Sequence, residues 1–87
     1  MSGTVELFVS DHCPACPEAR IRLRRLARGR PGLRVVEHDV DLPEGREHAE
    51  AYGLIAVPAF VVDGASISYG IPTDAWILGQ FLRRHVR

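Results

Sequence analysis

Val5-Glu6-Leu7-Phe8-Val9-Ser10-Asp11-His12-Cys13-Pro14-Ala15-Cys16-Pro17 is the stretch on which the fold turns. Its first five residues are mostly β-branched, aromatic or aliphatic and read as a strand, which Ser10-Asp11 ends. From Cys13 to Arg28 the period changes. Cys16, Ala19, Leu23, Leu26 and Ala27 share one helical face, while Arg22, Arg25 and Arg28 point away and Ile21 departs from the stripe. Pro14 suits the first helical position. Pro17 then falls where it cannot donate to the Cys13 carbonyl, so the first turn is expected to be loosened or redirected.

Working outward, Gly29-Arg30-Pro31-Gly32 stops the helix and Leu33 to Val40 reads as a second strand. Pro43 to Tyr52 forms a short polar helix with Gly53 as its cap. Ala59 to Val62 and Ser66 to Tyr69 are strands joined by Asp63-Gly64, a strong hairpin signal. A last helix opens at Pro72-Thr73-Asp74 and carries Ile77, Leu78, Phe81, Leu82 and Val86 at helical spacing. The order β-α-β-α-β-β-α makes an α/β domain. Its first two strands are parallel through a crossover, the hairpin is antiparallel, and helices cover both faces of a four-stranded mixed sheet.

The chain has 87 residues, 46% of them hydrophobic and 25% charged, so residues 1–87 read as a single globular domain. Eleven basic residues balance eleven acidic ones, which removes the electrostatic reason to expect nucleic acid or an anionic membrane. Every basic residue other than histidine is Arg, so chemistry that needs a Lys Schiff base or a P-loop Lys is excluded. The longest apolar run, Leu54 to Val62, is interrupted by Pro58 and is about half a membrane span. No targeting signal precedes the first strand, and a cytoplasmic location is the default expectation.

Cys13 and Cys16 are the only cysteines. As a staple the pair is poor, since closing so short a loop contributes roughly 2 kcal/mol. Three readings remain: a redox dithiol, half of a zinc site, or an inert pair. A structural zinc site commonly needs about four ligands. No second Cys-x-x-Cys or paired His motif supplies them, and His38, His48 and His85 read as scattered surface or edge residues. Redox chemistry suits the placement best. A cysteine at a helix start whose pKa falls from about 8.5 to about 6 goes from roughly 3% to roughly 90% thiolate at pH 7. Cys16 is then near enough to resolve a mixed disulfide on Cys13. His12 is either a cation beside Cys13 or an exposed bystander.

Cys13-Pro14-Ala15-Cys16 after the first strand, Ala56-Val57-Pro58 before a later strand, Asp63-Gly64 and the closing helix together resemble the thioredoxin superfamily. The resemblance covers essentially the whole chain, and its size is that of a small glutaredoxin-like member. It implies the thioredoxin fold and a dithiol–disulfide oxidoreductase working through a redox-active Cys13–Cys16 disulfide. It also implies a cis Val57-Pro58 bond beside the dithiol, with the Val57 backbone free to pair with an extended peptide or with glutathione. Gly70 then allows close approach, and His12, Pro14 and Ala15 complete the substrate surface. No cofactor or metal is implied; glutathione is a candidate substrate or reductant. The expected partners are a disulfide-containing protein and a reductase or glutathione as donor, with the chain acting as a monomer.

Several positions depart from the pattern. Ala15 stands where glutathione-using members commonly have Tyr, Tyr69-Gly70-Ile71-Pro72 keeps one Gly of a Gly-Gly pair, and the usual Lys is absent. Leu7 and His12 stand where thioredoxins carry a buried Asp and a Trp. The Cys-Pro-x-Cys-Pro run also occurs in protein disulfide oxidoreductase-like relatives, which favours protein disulfides as substrates. The alternative from another class is a non-catalytic binding module that docks a partner or metal at the Cys13–Cys16 and Pro58 surface. Trp76 reads as a packing residue, with a partner contact as the alternative.

Overall fold

The computed structural model describes residues 3–85; Val86 and Arg87, expected on the last helix or in its final turn, lie outside them. The elements are β1 (Gly3–Val9), α1 (Cys16–Ala27), β2 (Leu33–Asp39), α2 (Pro43–Ala51), β3 (Ala59–Val62), β4 (Ser66–Tyr69) and α3 (Asp74–His85). The sheet runs β2-β1-β3-β4. β1 pairs in parallel with β2 and antiparallel with β3, and β3 pairs antiparallel with β4. Asp63 and Gly64 both take positive φ, 50° and 71°, as the central pair of a turn that the Ala65 N–H closes on the Val62 carbonyl at 3.1 Å.

Alternation along β1 divides the core. Val5, Leu7 and Val9 face α1 and α3, meeting Cys16, Ala19, Leu23, Leu26, Ile77 and Phe81. Phe8 points to the other face, where Ala49 of α2 and Ala59 and Val61 of β3 surround it. α2 lies very close to β2: a Cβ on the buried Gly45 would collide with the Asp39 carbonyl oxygen. This close approach requires glycine.

Three expectations change. The helix begins at Cys16 rather than Cys13, with Ala15 as its N-cap. Pro17 is thereby the second helical residue, where a missing N–H costs nothing because the first four are unpaired in any helix. The Cys13 carbonyl that Pro17 could not serve instead accepts the Cys16 N–H at 3.2 Å. Leu82, expected on the apolar stripe, is 57% exposed, because α3 seats Ile77 and Phe81 and leaves the next position outside. His38 lies on the edge strand β2, one of the two places expected for it, but not at the surface: its ring stacks on Phe8 at 4.6 Å, and its side chain is 11% exposed.

Candidate active site

The C-terminal ends of β1, β2 and β4 and the N-terminal end of β3 meet at one edge of the domain. The register shows this directly, since Phe8 pairs with both His38 and Ala59, and Ala59 pairs with Tyr69. Whatever follows Val9, precedes Ala59 or follows Tyr69 therefore converges there. Those segments are Ser10 to Ala15, Ile55 to Pro58 and Gly70.

A carboxylate organises the first of them. Asp41 Oδ2 accepts the Ser10 hydroxyl at 2.8 Å and the Asp11 N–H at 3.1 Å. Ser10 Oγ in turn accepts the His12 N–H at 3.1 Å, and the Ser10 carbonyl accepts the Cys13 N–H at 3.3 Å. Asp39 Oδ1 accepts the Asp41 N–H at 2.9 Å. The two donors hold the Asp41 carboxyl below its ordinary 3.8, the Ser10 hydroxyl contributing most; the nearby His12 and Arg46 act in the same direction. Neither Ser10 nor Asp41 was singled out in the sequence. The only local signal was an Asp-x-Asp pair closing the second strand, which turn chemistry alone would explain.

Cys13 and Cys16 form a disulfide with Cα atoms 5.4 Å apart. Their environments differ. Cys16 is 1% exposed within the α1 core, whereas Cys13 is half-buried and packs on that core from outside. Val57, Ile71 and Trp76 pack against the same cluster. Pro58 is buried behind a cis Val57–Pro58 bond, and its carbonyl accepts the Gly70 N–H at 2.9 Å, with Gly70 at φ 79°. Among the described residues none hydrogen-bonds to the Val57 backbone. His12, Pro14 and Ala15 are exposed, and Val57 and Gly70 are half-buried. All eight expected site residues thus occupy this edge.

Sequence reasoning passed over Ile55, which is 86% exposed beside exposed Ala56. The Ile55 N–H reaches the Tyr69 hydroxyl at 3.4 Å. A cavity of about 340 Å³ adjoins this strip, lined by Val40, Ala49, Leu54, Ile55, Ala56 and Val57, with Arg46 and Glu50 adding charge. Two clusters have donor sets suited to a metal, Glu6-His38-His48 and Asp11-Asp39-Asp41; among the described residues neither cysteine belongs to one.

A buried and a half-buried cysteine, joined where a helix begins and bordered by unpaired backbone, define a dithiol–disulfide site on a thioredoxin fold. No family model matches the chain. It is 36% identical over 80 residues to a thioredoxin of Methanocaldococcus jannaschii, covering 92% of this chain and 93% of that one. It is 36% identical over 73 residues to a probable thioredoxin of Methanothermobacter thermautotrophicus, covering 84% and 85%. A mutant thioredoxin from Halobacterium salinarum superposes with a TM-score of 0.75 at 24% identity, covering 99% of this chain and 76% of that one. The protein is a thiol–disulfide oxidoreductase. The chain belongs to the thioredoxin family.

Proposed function

We propose that Cys13 is the attacking thiolate and Cys16 the resolving thiol in the reduction of protein disulfides. The carrying observation is the difference in exposure between the two sulfur-bearing residues. In the reduced protein the Cys13 thiolate attacks one sulfur of a substrate disulfide, forming a mixed disulfide and releasing the first substrate thiolate. Cys16, having given its proton to solvent, attacks Cys13 Sγ. That step closes the Cys13–Cys16 bond and releases the second thiolate. Two electrons pass from the dithiol to the substrate, and the two released thiolates take up protons.

The substrate lies along Val57, Pro58 and Gly70, with its backbone paired to that of Val57 and with His12, Pro14 and Ala15 at the margin. Exposed Ile55 and Ala56 extend this margin with apolar surface, which suits a protein chain better than a small charged thiol. The disulfide itself is the redox group, and we assign no further cofactor. Re-reduction draws two electrons from a reductase or from glutathione. Among the described residues no helix is long and apolar enough to cross a membrane. We place the protein in the cytoplasm, acting as a monomer.

The test is a pair of variants assayed against a protein disulfide. Cys13→Ser is expected to abolish reduction, and Cys16→Ser to accumulate a mixed disulfide with substrate, visible by mass. An unchanged rate for Cys13→Ser would overturn the assignment. Equilibration against glutathione then gives direction: a potential near about −270 mV marks a reductant, and one well above it an oxidant or isomerase.

A further inference from the structure

The face of the sheet covered by α2 carries a second group of chemically competent side chains, away from the dithiol helix. Glu6 projects from β1, His38 from β2, and His48 and Tyr52 come from α2 and its C-terminal cap. Phe8 supports the group by stacking on His38, and the His38 and His48 rings lie 4.4 Å apart between centroids. His38 Nε2 is 2.8 Å from Glu6 Oε2, while the Tyr52 hydroxyl donates to Glu6 Oε1 at 2.5 Å.

We propose that Glu6, His38 and His48 form a site for a divalent transition-metal ion of the zinc type, separate from the dithiol. Two imidazoles and one carboxylate are a borderline donor set that suits zinc, and three protein ligands leave a fourth position for water or an external ligand. One donor atom from each residue lies within 4.8 Å of the others. Tetrahedral zinc, with bonds of about 2.1 Å, separates its ligand atoms by about 3.4 Å. The 2.8 Å contact between His38 and Glu6 must therefore open by about 0.6 Å, and the widest separation must close by at most about 1.4 Å. His48 is exposed and makes no hydrogen bond or ion pair among the described residues, so its ring is free to make that adjustment.

Tyr52 supplies what a bare ligand triad would lack. By occupying Oε1 it leaves Glu6 Oε2 aimed at the histidines, the arrangement in which an outer hydrogen bond fixes a ligating carboxylate. His38 and Glu6 are nearly buried, with side chains 11% and 15% exposed, whereas His48 opens the site to solvent and provides the route of entry. An ion arriving there takes the place of the direct His38–Glu6 contact and brings in His48.

The experiment uses the full chain with its disulfide intact, so that the thiols cannot bind metal. Zinc is titrated calorimetrically, cobalt is followed by visible absorption, and the imidazole resonances are followed by NMR. Stoichiometric zinc binding is expected, with the signals of His38 and His48 shifting together. His48→Ala, a surface change that leaves the fold in place, is expected to abolish stoichiometric binding. Tyr52→Phe is expected to weaken it by about tenfold or more. Absence of binding below millimolar zinc, or zinc and cobalt binding unchanged in His48→Ala, would overturn the proposal. So would shifts confined to the Asp39–Asp41 segment. None of these outcomes depends on which cysteine attacks the substrate.

Discussion

Replacing Gly45 by Ala should destabilise the protein, although the same exchange in most helices does the reverse. Within a helix Ala is preferred to Gly by about 1 kcal/mol. Gly79 in α3 shows the undisturbed case, because a Cβ built there meets nothing within 4 Å. Gly79→Ala should therefore add up to about 1 kcal/mol of stability. At Gly45 the added carbon would overlap the Asp39 carbonyl oxygen, a backbone group that no rotamer change can move. Overpacking typically costs about 1–3 kcal/mol, and a rigid neighbour argues for the upper end. The net result is a loss of about 2 kcal/mol for Gly45→Ala once the helix preference is subtracted. The two variants should then lie about 3 kcal/mol apart. At about 4–8 °C per kcal/mol for a domain of this size, their midpoints should differ by about 12 °C or more. Thermal and urea denaturation of the oxidised protein measure this. The clash would also act on the site, since the Asp39 carbonyl accepts the Leu42 N–H at 3.1 Å in the turn that carries Asp41. A Gly45→Ala protein as stable as the parent would refute the argued contact between α2 and β2.

Asp41→Asn should loosen the segment before Cys13 and slow disulfide exchange, because the Ser10 and Asp11 donors lose a charged acceptor. In the parent the carboxyl is depressed below 3.8, so the clamp is complete above that pH and is lost as pH falls through the lowered value. Amide exchange at Asp11 and His12 reads this out, and unchanged protection in the variant would count against the clamp. Tyr52, with its pKa pushed up to about 12 by its hydrogen bond to Glu6 and then by burial, should ionise late. The neutral phenol favours the fold, so its contribution is complete below pH 10 and disappears as pH rises through about 12. Ultraviolet titration in a Tyr69→Phe background should show the midpoint falling toward 10 in Glu6→Gln. A midpoint unmoved by that change would show that Glu6 is not the cause.

The parts of the fold legible in the sequence were those written in local pattern. The Asp63-Gly64 turn and the Cys16-Ala19-Leu23-Leu26 stripe follow from spacing within a few residues, and the parallel β1–β2 pair follows from the order of elements, a strand, a helix and a strand. Features made by residues distant in sequence were not legible. His38 has an ordinary polar context in its own strand, and only the parallel register placing it beside Phe8, with α2 above, nearly buries its side chain. Gly45 looks like a weak helix residue until the Asp39 carbonyl is found against it. Asp41 lies 28 residues from Cys13 along the chain, yet its acceptor oxygen shapes the approach to that cysteine. Ile55 belongs to the apolar run from Leu54 to Val62, and nothing in that run marks it as the exposed member.

The placement of the helix start links the two prolines to the chemistry. Residues three apart in a helix share a face. Cys13 and Cys16 share one here: they are bonded to each other, and Cys13 packs against the end of the core that buries Ala19 and Leu23. Pro14 disfavours a helical Cys13, and Pro17 is tolerated in the first turn of a helix that starts at Cys16. Cys13 lies in the turn that leads into the helix, with its N–H on the Ser10 carbonyl and its carbonyl accepting the Cys16 N–H. One cysteine is thus fixed in the core while the other reaches the surface, although they are three residues apart. The attacking and resolving roles we propose for them call for that inequality. Here it follows from where a helix is allowed to begin.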